Sequence, residues 1–168
     1  MKYHRLALTV VVTGMISGWL LADATNIPNK GIQKFELLSL SPDLQVEGKP
    51  SGLSANSKTK LFHSYPILGS LEVKRAEDIR KIIEAVNADF RPHMQNMCLF
   101  FPRHGLRIFY KGSIVEYLIC YQCGDVAKYD ETHAEAPLSL SIGKSSKELL
   151  NRYLSEAKVP LAPDVDQK

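Results

Sequence analysis

The stretch HGLRIFYKGSIVEYLIC, His104 to Cys120, decides the fold. Leu106 to Tyr110 and Ser113 to Tyr121 are rich in β-branched and aromatic residues, and Lys111-Gly112 between them is a two-residue hairpin turn. That turn sets Tyr110 opposite Ser113, Ile108 opposite Val115, Leu106 opposite Tyr117 and His104 opposite Ile119, so one face is almost wholly apolar. On the other face Arg107 meets Glu116, an opposite-charge pair that favours this alignment by about a few tenths of a kcal/mol. A turn one residue later would set Phe109 against Glu116 and leave Arg107 facing Leu118, so the first register is the expected one.

Outward from the hairpin, Val126 to Tyr129 reads as a further strand after Cys123-Gly124-Asp125, and Leu138, Leu140 and Ile142 alternate as a last one. Ser145 and Glu148 have the spacing of a capping box, opening a helix with Leu149, Leu150, Tyr153, Leu154 and Ala157 on one face. Val159-Pro160 closes it. On the N-terminal side, Ile79, Ile82, Ile83 and Val86 fall at helical spacing, with Glu77, Asp78, Arg80, Lys81 and Glu84 outward. Acids in its first turn suit the helix dipole, and Phe90-Arg91-Pro92 ends it. Ile67 to Val73 reads as a strand in which Gly69 marks a bulge or a close backbone approach. Phe35 to Leu40 is a short strand stopped by Ser41-Pro42, and Asp43 to Lys60 is a long polar loop. This order predicts an α+β domain, a mainly antiparallel sheet with two main helices packed on one face.

The N-terminus has the three parts of a secretion signal. Lys2 and Arg5 precede an uncharged apolar run from Leu6 to Ala22, and Ala22-Asp23-Ala24 fits the small-x-small rule for cleavage before Thr25. The run is also near the shortest helix that spans a bilayer, so retention as a membrane anchor is the alternative. The chain therefore divides into a signal peptide over 1–24, an N-terminal strand and flexible loop over 25–60, one α+β domain over 61–163 and a tail over 164–168. Thr25 to Gly31 reads as a flexible exit from the signal. The 168-residue chain has 21 Lys and Arg against 18 Asp and Glu; removing Lys2, Arg5 and Asp23 leaves 19 against 17. So small an imbalance gives no basis for nucleic-acid binding, and no run of five like charges suggests a charged partner.

All three cysteines, Cys98, Cys120 and Cys123, fall close together around His104. Three readings stand side by side. Three sulfurs and an imidazole could form a tetrahedral zinc site on Cys98, His104, Cys120 and Cys123. Against it, regular strands point His104 and Cys120 to opposite faces. In an oxidising compartment Cys98 and Cys123, brought to the open end of the hairpin, form a disulfide and leave Cys120 the odd thiol. Reduced structural cysteines are the third. Redox use of C-x-x-C is disfavoured because the motif follows a strand and is not at a helix N-terminus.

In Pro102-Arg103-His104-Gly105, Arg103 could hold an anionic group and His104 act as acid or base; the plainer reading packs His104 in the strand and pairs Arg103 with a carboxylate. His93, Met94, Met97, Cys98 and His104 as copper ligands read as loop composition. Phe100, Phe101, Phe109, Tyr110, Tyr117 and Tyr121 read as core and sheet surface, since no basic stripe interleaves them.

Tyr65-Pro66-Ile67-Leu68-Gly69, Cys98 followed by Pro102-Arg103-His104-Gly105, and Ile119-Cys120-Tyr121-Gln122-Cys123 together resemble a family of small, often exported, uncharacterised bacterial proteins. The likeness covers about Leu61 to Pro163, and Tyr121 stands where the family pattern has Phe. It implies no activity and singles out Cys98, Arg103, His104, Cys120 and Cys123 as motif positions. The expected function is a non-catalytic binding or interaction module of the cell envelope, with an unknown protein or small ligand as partner. The rival is a metal- or thiol-dependent site, zinc-binding or redox, on the cysteine/histidine cluster.

Overall fold

The computed structural model describes residues 26–42, 60–92, 98–134 and 137–163. The signal peptide or anchor, nearly all of the 43–60 loop, His93, Met94, Met97 and the 164–168 tail lie outside the described residues. Among the described residues no helix is long and apolar enough to cross a membrane.

Among the described residues, eight strands and two helices follow in the order β1 (Ile32–Leu40), β2 (Leu61–Phe62), β3 (Tyr65–Glu72), α1 (Ala76–Asp89), β4 (Phe90–Arg91), β5 (His104–Tyr110), β6 (Ser113–Cys120), β7 (Asp125–Tyr129), β8 (Leu138–Ile142) and α2 (Lys147–Glu156). The strands make one antiparallel sheet ordered β2-β3-β1-β5-β6-β7-β8-β4. The β5–β6 hairpin has the expected register, with His104 opposite Ile119, Arg107 opposite Glu116 and Tyr110 opposite Ser113. Lys111 and Gly112 both have positive φ, 50° and 86°, which matches the turn's twist to that of the strands.

Alternation along the central strands builds two cores. Phe35 and Leu37 of β1, Leu106 and Ile108 of β5, and Tyr117 and Ile119 of β6 join one cluster with Ile82, Ile83 and Val86 of α1 and Leu150 and Leu154 of α2. Leu38 and Leu40 of β1 and Leu118 of β6 face the other way and meet Phe62 and Tyr65 from the β2–β3 hairpin.

Gly69 serves both of its expected roles. The β1–β3 register slips opposite it, Ser39 pairing with Gly69 and Leu40 with Ile67, so Leu68 is an extra residue that bends β3. A Cβ on Gly69 would also stand 2.7 Å from Val159. Beyond the bend the hairpin turns onto the second face, where the Phe62 ring would meet a Cβ on Gly105 at 2.8 Å. That contact crosses two strand positions, from β2 to β5, and explains glycine at this point of the motif.

Two expectations are corrected. Thr25 to Gly31 is not a flexible exit over its described part: Ile27 is buried, and its N–H and C=O bond the Asn87 side-chain amide at 2.9 and 3.0 Å. The Ser145–Glu148 capping box does not form. The Ser145 hydroxyl instead donates to Asp89, whose other oxygen accepts the Ser146 N–H at 2.5 Å. A buried carboxylate at the end of α1 outcompetes an exposed glutamate three residues ahead, because burial strengthens the bond.

Candidate functional site

The five motif residues are distributed over both faces. Cys98 and Cys123 form a disulfide with Cα atoms 5.7 Å apart, tying the chain before β5 to the β6–β7 turn. Cys120 is a free thiol, fully buried, whose sulfur accepts the Cys123 N–H at 3.4 Å. It follows Leu118 at period two and so lies on the second face. His104 is buried, its Nε2–H donates to Asn151 Oδ1 of α2 at 2.7 Å, and the ring meets Tyr121 edge-on. Among the described residues Arg103 pairs with no carboxylate. Its Nε donates to the Pro163 carbonyl at 3.1 Å and an Nη to Gln122 at 3.3 Å.

The four-residue zinc arrangement is therefore not assembled. Two of its sulfurs are joined to each other, and His104 and Cys120 point to opposite faces of the hairpin, as strand alternation dictates. Among the described residues no three His, Cys, Asp or Glu side chains converge as metal ligands. What the motif does instead is tie α2 and the chain after it onto the sheet.

The second face carries a different constellation. A cavity of about 400 Å³ is lined by His63, Arg107, Glu116, Tyr129, Asp130 and the apolar side chains of Phe109 and Ile114. Its floor is the hairpin pair: Arg107 Nε donates to Glu116 Oε1 at 2.6 Å, and an Nη reaches Glu36 of β1 at 3.5 Å. A guanidinium has five N–H groups, more than these two bonds use, and the Arg107 side chain lines the cavity. Its carbon also lies 5.0 Å from the centre of the Phe62 ring.

His63 forms one wall. It and Ser64 make the β2–β3 turn with φ of 46° and 71°, left-handed values rarely seen at two successive non-glycine residues. The ring is held from two sides, by Glu116 Oε2 at 2.7 Å from Nε2 and by Tyr129, stacked at 3.6 Å and 14°. Burial disfavours the Glu116 carboxylate, but the bonds from His63 and Arg107 outweigh it and hold its pKa below the ordinary value. Glu116 is thus ionised at neutral pH and accepts from His63 Nε2–H.

The far wall is fixed by Asp130. One carboxylate oxygen accepts from the N–H groups of Thr132 and His133, the Thr132 hydroxyl and His133 Nδ1; the other meets Lys128 Nζ at 3.2 Å. Burial is again outweighed, here by the bonds from His133, Thr132 and Lys128, which drive the pKa far down. Tyr129, between the two walls, has its phenol pKa raised by burial and by the Glu116 charge.

Of this group, sequence reasoning singled out Arg107 and Glu116 as a register device and Phe109 as core or sheet surface. The usable signal for His63 was Leu61-Phe62-His63-Ser64-Tyr65, two apolar segments around a two-residue polar break, which reads as a tight hairpin once the glycine requirement is relaxed. Tyr129 and Asp130 carried no sequence signal of their own. No family model, no curated protein and no solved structure matches this chain.

Proposed function

We propose that this chain is a non-catalytic binding module that works outside the cytoplasm, and that its ligand site is the cavity between His63 and Asp130. In this reading the sheet carries both helices on one face, and the opposite face is left to the ligand. The observation that carries it is the His63 ring, held in a left-handed turn by Glu116 and Tyr129 at the edge of a cavity of about 400 Å³. Left-handed backbone at a non-glycine residue costs on the order of 1 kcal/mol. Such a cost is retained where the placed side chain has a use. The cavity has the size of a small-molecule site, with Phe109, Ile114 and Ala134 as its apolar sides and five residues that carry polar groups.

Recognition fits this site better than catalysis. Both Glu116 oxygens are committed, Asp130 is saturated, and no Ser, Thr, Cys or Lys is among the residues that line the cavity. A small ligand with an apolar body would rest on Phe109 and Ile114 and offer an acceptor, such as a carboxylate, to the remaining Arg107 N–H groups. Export agrees with the disulfide and with the absence, among the described residues, of a membrane-spanning helix.

The test is an NMR screen of small aromatic and aliphatic carboxylates, following the ring resonances of His63 and Tyr129. Hits should move both rings, and Ile114→Ser, at a half-exposed position, should weaken them while the fold is kept. Hits that move His104 and Tyr121 instead would relocate the site to the helix side.

A further inference from the structure

We propose that Cys98, Cys120 and Cys123 form a thiol–disulfide exchange relay, separate from the cavity, in which the buried Cys120 releases Cys98 as an exposed thiol that can attack a second disulfide. The geometry is that of one turn. The Gly124 N–H bonds the Cys120 carbonyl at 2.9 Å, closing a single helical-type turn around Tyr121, Gln122 and Cys123. Positions three apart in such a turn have Cα atoms about 5 Å apart, inside the range that a disulfide spans. Cys123 therefore lies within reach of two sulfurs, Cys98 from outside and Cys120 from within its own turn. The Cys123 N–H already points at the Cys120 sulfur, 3.4 Å away, which keeps that sulfur beside the residue it attacks.

The exchange balances without an outside oxidant. Cys120 attacks Cys123 Sγ, and the proton it loses is balanced by the one the departing Cys98 takes up. The Cys120–Cys123 bond forms, the Cys98–Cys123 bond breaks, and Cys98 leaves as a thiolate that takes up a proton. One disulfide is replaced by another. The two products differ in exposure: Cys120 is fully buried, whereas Cys98 and its neighbour Leu99 are exposed. The released Cys98 can then attack a disulfide of another molecule, giving a mixed disulfide and one thiolate of that molecule. Cys120 would thus be a nucleophile that outside reagents cannot reach, acting through the exposed Cys98.

Trypsin makes the two states distinguishable, because Cys120 and Cys123 share the peptide from Gly112 to Lys128 and Cys98 lies in another. Oxidised full-length protein is held folded near pH 8 with excess iodoacetamide, then unfolded, blocked with N-ethylmaleimide and digested. The expected result is acetamide label on Cys98, with the Gly112–Lys128 peptide unlabelled and about two daltons light from its internal disulfide. In Cys120→Ser, label on Cys98 should fall roughly tenfold or more, since no internal thiol remains to release it. Two results in the unmutated protein overturn the relay: Cys98 still bridged to the Gly112–Lys128 peptide with Cys120 carrying only the second label, or acetamide directly on Cys120. Equal labelling of Cys98 in Cys120→Ser also overturns it. The unmutated protein decides the matter even if the variant folds poorly.

Discussion

The carboxylate of Asp89, the last residue of α1, caps α2 by accepting the Ser146 N–H at 2.5 Å and the Ser145 hydroxyl. The two helices are thereby joined through one buried acid more than fifty residues away in sequence from the group it caps. Burial opposes its charge, but the bonds from Ser145 and Ser146 and the Arg91 guanidinium prevail, and its pKa lies below the ordinary value. Asp89→Asn should lower stability at neutral pH by about 1.5–3 kcal/mol, the usual worth of hydrogen bonds to a charged group. The pH dependence has a definite sign. A depressed carboxylate stabilises the fold above its unfolded pKa of about 4, and that contribution is lost as pH falls through the folded value. Urea melts of the two proteins should therefore converge on acidification.

Glu116→Gln should loosen both partners of the carboxylate at once. The His63 ring loses its charged acceptor and Arg107 its closest counter-ion. We expect a stability loss of about 1–2 kcal/mol, and altered His63 ring resonances as the stacking on Tyr129 relaxes. Unchanged His63 resonances would mean that the stacking alone holds the turn.

Gly105→Ala tests the folding of the β2–β3 hairpin over the second face. The new methyl would press on Phe62, whose ring is fully buried, at a cost of about 1–3 kcal/mol. Adding Phe62→Leu should recover part of that loss. A strictly additive pair would show that the two side chains do not meet in solution.

Removing the Cys98–Cys123 bridge by Cys98→Ser should cost about 3 kcal/mol, as expected from closing a loop of this length in the unfolded chain. Thermal melts with and without reductant check it: the unmutated protein should lose stability on reduction, and the reduced variant should match the reduced parent.

His104→Ala should destabilise by about 2–3 kcal/mol, since it leaves the Asn151 amide of α2 without its partner and opens space beside Tyr121. Metal content measured on the purified variant and its parent should be equal. A metal lost with the imidazole would restore the zinc reading.

What was legible in the sequence was local. The β5–β6 register follows from Lys111-Gly112 and the Arg107–Glu116 pair, all within seventeen residues, and α1 follows from the spacing of Ile79, Ile82, Ile83 and Val86. The Cys98–Cys123 bridge was one of three open readings, because it depended on where a segment outside the hairpin comes to lie. The cavity was not legible, for two physical reasons. His63 and Ser64 turn the chain without glycine, so the usual hairpin signal is missing. The bend at Leu68 that carries His63 across to Glu116 appears only when β3 is paired with β1. Likewise the sequence offered Ser145 a partner three residues away, and the folded chain supplied a better one from α1.

The sheet has margins of very little length. Its first and last strands, β2 and β4, are two residues each, while β1, β3 and β6 run to eight or nine. Beyond β2, the edge of β3 is kinked at Leu68 and backed by Val159 at Gly69. Among the described residues, a second molecule adding itself strand to strand would find only a couple of aligned backbone groups on β2 or β4. An eight-stranded sheet is otherwise a ready seed for fibrillar growth, so these stunted borders give the molecule resistance to self-templated polymerisation at high concentration.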